Sequence, residues 1–208
     1  MTTASILDRL DPVKVELLIA HLAEHFRGKV LPKEDSTVMR GVAEAFDVGR
    51  LLGIVPGVPG GDVFLRDYAT TIGPFVFIPR AWTPRQRLLV VLHELCHVVQ
   101  FWSAPWGFPV LYLSQPEARA AFEAQAYRAE PEAIYVLEGR TNGYTPENTV
   151  AGLTQGYNLS DRDVMLAQDM SDVALTSIAN GIIRLPPVLE MESFLKARGG
   201  VEWLAAAR

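Results

Sequence analysis

One cysteine, Cys96, is all the sequence has in 208 residues. That excludes an internal disulfide framework and fits a reducing compartment. No apolar run approaches the roughly 20 residues a bilayer-spanning helix needs, so no membrane partner is expected. The start, "MTTASILDRLDPVKVE", lacks a basic end followed by an unbroken apolar stretch. No signal peptide is read there, and a cytoplasmic location is expected. An excess of charge is missing too: the net charge is −5, acids and bases are mixed along the chain, and no basic block occurs. Nucleic acid, which demands a broad basic footprint, is therefore not an expected partner. Internal repeats and low-complexity segments are also lacking.

What remains is an ordinary globular composition, 49% apolar and 21% charged, in a chain long enough for a continuous core. Val15, Leu18, Ile19, Leu22 and Phe26 recur at helical spacing after Asp11 and Pro12, which predicts a helix over 12–27. A second helix is expected over 36–52. "GIVPGVPGG" (53–61) reads as a loop and domain boundary. Residues 62–72 and 74–79 read as two strands joined near Gly73-Pro74. Thr83-Pro84 starts a helix of about 84–102. A Trp/Pro/Gly loop (103–115) and a helix from Pro116 to Glu138 follow. Residues 141–208 look helical again, with Ser160 capping 161–180, Gly181 ending it, and a last helix after Pro186-Pro187. The fold class is α+β and mostly helical: an N-terminal helical segment (1–60), a core with a small sheet (61–140) and a C-terminal helical extension (141–208).

Chemistry concentrates in "VVLHELCHVVQFW" (90–102). With about 100° per residue, His97 falls roughly 40° from His93, Glu94 roughly 100° away, and Gln86 and Gln100 within about 20°. Every other residue from Leu88 to Trp102 is apolar. The helix is thus expected to be buried nearly all round, with its polar groups on one stripe. Two imidazoles and a carboxylate buried without partners cost several kcal/mol, and a metal ion removes that cost. Histidines four apart can both reach one zinc ion.

A third ligand is needed. The extended HExxHxxGxxH motif of metzincins is absent, since Gln100 and Ser103 stand where its glycine and third histidine belong. A cysteine from an upstream segment, as in peptide deformylases, is also absent. "ARAAFEAQAYRAEPEAIY" (118–135) supplies Glu123, 26 residues after His97 and set among Ala120, Ala124 and Ala126. Glu117, Glu130 and Glu132 are alternatives, read as solvated acids of a helix surface.

His93-Glu94-Leu95-Cys96-His97 followed by Glu123-Ala124-Gln125-Ala126 resembles the gluzincins, zinc metallopeptidases with an HExxH helix and a later glutamate. The small bacterial and phage-associated members are the most similar, with "TTIGPFVFIP" (70–79) as the preceding strand. The likeness covers about 62–138 and implies a zincin-like sheet whose edge, at 74–79, pairs with an extended peptide substrate. It implies Zn2+ held by His93, His97 and Glu123, with Glu94 as general base toward a zinc-activated water. Two positions depart from the family pattern. Tyr127 replaces an acid that orients a zinc histidine, so Glu130, an aspartate of 161–172 or a backbone carbonyl is expected in that role. No histidine follows His97, so a tyrosine is expected at the developing oxyanion: Tyr112 first, with Tyr127, Tyr135 and Tyr157 behind it.

"HLAEH" (21–25) spells the inverted zinc pattern, but its flanking charges favour a solvent-facing helix with incidental histidines. A second metal site, or a contact with the first cleft, is the alternative. Cys96 lies off the ligand stripe and reads as core. Asp161, Asp163, Asp169 and Asp172 read as an exposed helix face. The expected function is a zinc-dependent peptidase acting on a peptide or protein substrate. A partner-binding protein with a structural zinc site, phage- or virion-associated for example, is the alternative, as is a zymogen whose residues 1–60 block the cleft.

Overall fold

Asp11 accepts from the amides of Val13 and Lys14, and Pro12 occupies the first turn, which fixes the start of α1 (Pro12–His25). In this computed structural model residues 5–51, 59–141, 143–156 and 160–206 are described. Most of the expected loop at 53–61, and Tyr157, lie outside them. Strand β1 (Lys29–Pro32) follows α1, then α2 (Thr37–Leu51) and α3 (Gly61–Asp67). β2 (Thr70–Ile72) and β3 (Phe75–Ile78) form a hairpin across Gly73, whose φ of 57° lies in the left-handed region. The long α4 (Pro84–Ser103) comes next, then α5 (Gly107–Ser114), α6 (Pro116–Tyr127) and α7 (Ala129–Glu138). α8 (Pro146–Gly156), α9 (Asp161–Ala179) and α10 (Pro186–Lys196) complete a mostly helical α+β fold, 71% helix with one three-stranded mixed sheet.

Several local expectations are corrected. β3 is not the sheet edge. The order is β1-β3-β2, with β1 parallel and β2 antiparallel to β3, so the edge beside α4 is β2. Lys29–Pro32 had no strand signal because a parallel partner distant in sequence cannot be read from a four-residue run. The first half of 62–72 is helix: Phe64 and Leu65 bury one side against Met39 and Ala43 of α2. Gly61 allows that approach, since a Cβ there would sit 2.6 Å from the Ala43 carbonyl oxygen. The loop at 103–115 contains α5, because Pro109 lies in its first turn, where no amide donor is needed. The helix at 116–138 breaks after Tyr127. Pro131 has no N–H for the Tyr127 carbonyl, and its ring crowds that carbonyl.

One buried cluster joins Ile6 through Leu22, Val76 through Leu137 and Leu185 through Ala205, with α4 at its centre. Leu88, Val91, Leu92, Leu95 and Val98 of α4 are completely buried. Cys96 is buried there too, its thiol donating to the Leu92 carbonyl at 3.3 Å. Burial, followed by the nearby carboxylates, pushes that thiol well above its ordinary range, which makes it inert. No single helix among the described residues is long and apolar enough to cross a membrane.

Candidate metal centre

Two helices build the site. A capping box fixes the first: Thr83 accepts from the Gln86 amide while the Gln86 side chain accepts from the Thr83 amide. That register sets His93, Glu94, His97 and Gln100 along one side of α4. α5 turns the chain back so that α6 brings Glu123 against them. Ala120, Ala124 and Ala126 are all buried, and Ala124 packs on Ala167 of α9.

The structure brings His93, His97 and Glu123 together. His93 Nε2 lies 3.3 Å from His97 Nε2. Glu123 Oε2 is 3.3 Å from His93 Nε2, and its Oε1 is 3.4 Å from His97 Nε2. A good N–H···O bond is shorter, about 2.9–3.0 Å. Donors bound tetrahedrally at about 2.0–2.1 Å, however, lie about 3.3–3.4 Å from each other. The separations lie near that edge length, with Glu123 turning one oxygen to each imidazole, and with one donor atom from each residue within 4.8 Å of the others the group could hold a metal ion. Glu123 is 1% exposed, so its charge is compensated by the two imidazoles beside it rather than by water.

Charge couples the group. Burial alone would raise the Glu123 carboxyl, but the two imidazoles outweigh it and hold the group well below the usual carboxylate range. Burial likewise lowers the His97 imidazolium, and the Glu123 charge outweighs that, lifting it to about 9. In the metal-free protein, stability from His97 is therefore complete below its unfolded pKa of about 6.5 and lost as pH rises through about 9. A metal requires the neutral ring. Zinc binding at pH 7 should therefore release about one proton from His97, measurable by calorimetry in two buffers of different ionisation enthalpy. A heat independent of buffer would rule out this charge state.

The atoms around the triad include two residues that sequence reasoning missed. Gln100 Oε1 accepts from His97 Nδ1 at 2.8 Å, while Gln100 Nε2 donates to the Phe122 carbonyl at 3.1 Å and to Gln125 Oε1 at 2.9 Å. The backbone carbonyl accepts only, which fixes the amide orientation. His97 Nδ1 thus carries its hydrogen, and Nε2 is the nitrogen that faces His93 and Glu123. The orienting acceptor for this histidine is therefore on α4 itself, rather than Glu130, an aspartate of 161–172 or a backbone carbonyl. Its signal was its place on the helical stripe three residues after His97. The second missed residue is Thr71 of β2, whose hydroxyl donates to Glu94 Oε2 at 2.6 Å. No local pattern links strand position 71 to position 94.

Glu94 is buried beside the triad and is not one of its three donors. Tyr112 of α5 reaches the same place, its hydroxyl donating to Glu123 Oε1. Tyr127 stands edge-on to His93 with ring centroids 4.7 Å apart. The alternatives to Glu123 fall elsewhere. Glu117 is exposed on the surface, and Glu130 lines a pocket beside His93. Glu132 is no solvated acid but fully buried, paired with Arg128 and accepting from the amides of Arg184 and Leu185 at 3.1 and 3.0 Å. Asp163 is also buried, as the partner of Ser160 in a capping box.

Glu94 lines two pockets. One, of about 760 Å³, is walled by Ile72, Phe75, Phe101, Phe108, Pro109 and Leu113 and reaches His97 and Glu123. The other, of about 620 Å³, is bounded by Tyr68, Trp82, Arg85, His93, Tyr127 and Glu130. Searched against protein families, curated proteins and solved structures, the chain has no match in any of the three.

Proposed function

We propose that the protein is a zinc-dependent peptidase of the gluzincin type. The observation that carries the reading is the buried meeting of His93, His97 and Glu123, with Nε2–Nε2 at 3.3 Å and a Glu123 oxygen 3.3 and 3.4 Å from the two imidazoles, and a second carboxylate, Glu94, beside them outside the group. His93, His97 and Glu123 would hold the zinc ion, which would supply Lewis-acid polarisation of a carbonyl and lower the pKa of water. Glu94 accepts the proton of the attacking water and returns it to the leaving amine. The Thr71 hydroxyl donates to Oε2 of Glu94 and so holds the orientation of that carboxylate. Tyr112 rests on Glu123; its donation to a developing oxyanion requires it to leave that bond.

An extended peptide adds to the edge strand β2, which runs past Glu94 through Thr71. The aromatic and aliphatic wall of Phe75, Phe101, Phe108 and Leu113 suits a large apolar side chain of that peptide. Incubation of the zinc-loaded protein with an unfolded protein mixture tests the reading. Cleavage next to large apolar residues, abolished by a chelator and restored by zinc, is the expected result. A fully zinc-loaded protein that cuts no unfolded chain would refute it.

A further inference from the structure

Away from the cleft, the histidines of "HLAEH" meet a third group. His21 and His25 lie one turn apart on α1, and Glu190 of α10, distant in sequence, points between them. Glu190 Oε1 is 2.7 Å from His21 Nε2 and 3.5 Å from His25 Nδ1, and the donor atoms of all three lie within 4.8 Å of one another. We propose that His21, His25 and Glu190 form a second metal site, which takes a first-row transition ion such as zinc, nickel or copper and pins α1 to α10.

The chemistry of the donors is the same as in the cleft: two imidazoles at i and i+4 and one carboxylate from a later helix. Their setting is opposite. Side-chain exposure is 38% for His21, 47% for His25 and 21% for Glu190, so an ion here keeps outward positions for water. The Phe194 ring, 4.4 Å from the His21 ring, fixes one wall of the group. His25 is half-exposed and can turn about its last torsion. The 2.7 Å contact is a hydrogen bond that must open by about 0.6 Å to reach a tetrahedral edge, while the 3.5 Å contact is already near it. Glu24, between the two histidines in sequence, is exposed and outside the group, so the site binds and does not catalyse.

Binding here needs only the fold, so its test is separable from the peptidase reading. Zinc titration of the folded protein should show two classes of site, a tight one and a weaker one. His21→Ala/His25→Ala should remove the weaker class alone and leave any peptidase activity unchanged. The weaker class should raise the thermal midpoint, and Glu190→Gln should weaken it by about tenfold or more while keeping the fold. A double variant that binds as many zinc ions as the wild type, with the same affinities, overturns the site. An unchanged second class in Glu190→Gln overturns the bridge to α10. Circular dichroism of each variant confirms that surface substitutions, not unfolding, are being read.

Discussion

Glu94→Gln is expected to keep zinc and to lower peptide hydrolysis by about 10³-fold, within the usual range for loss of a general base. The substitution preserves shape and preserves an oxygen that can accept from Thr71, whose hydroxyl lies 2.6 Å from Glu94 Oε2. What it removes is the capacity to take a proton. The three donors, His93, His97 and Glu123, do not include Glu94, so bound metal should remain at the wild-type ratio. Zinc analysis and turnover measured on the same sample separate the readings. A structural zinc site that serves partner binding would be indifferent to the change. Loss of zinc together with activity would instead show that Glu94 is needed to build the site, and would sink its assignment as base. Calorimetric proton release provides an independent check, because it depends on His97 and not on Glu94.

Much of this site was legible because its geometry is local. The spacing of His93 and His97, the Thr83 cap and the apolar run around them are all properties of one helix, α4. Glu123 was reachable because small residues surround it and the chain between it and His97 is long enough to reverse. The parts that escaped are those that depend on pairing across the chain. β1 becomes a strand only beside β3, and Thr71 becomes a partner of Glu94 only once β2 lies along α4. Val63 and Phe64 favour a strand, yet burial of Phe64 on α2 decides for helix over 61–67. Glu190 sits where no periodicity could connect it with His21. Gln100 is different: it was in view on the stripe, and only the carbonyl of Phe122, which fixes its amide, reveals what it does.

The largest loss of stability is expected at Lys33, the residue most at odds with its surroundings. A lysine is almost never fully buried unless paired, and this one is 0% exposed. Its ammonium donates to the carbonyls of Phe64 and Tyr68 and to the Thr70 hydroxyl, each at 2.9 Å, and sits 3.3 Å from the centre of the Phe64 ring. Methionine keeps the volume and supplies no donor. Lys33→Met thus strands three acceptors at about 1–3 kcal/mol each, and relaxation around them brings the expected cost to about 4 kcal/mol. For a chain of this size that lowers the thermal midpoint by roughly 10 °C. Tyr68 and Thr70 lead directly into the strand that holds Glu94, so turnover should fall as well. The pH dependence gives a sharper check. Burial lowers the Lys33 pKa to about 8, against the pull of Glu94 and then Glu34. The folded protein therefore releases this proton before the unfolded chain does, and stability from Lys33 rises between about pH 8 and 10.5. Denaturant unfolding at pH 7.5 and 9.5 should show the wild type gaining on Lys33→Met at the higher pH. A gap that stays constant would mean that the three acceptors and the ring hold the proton as firmly as water does.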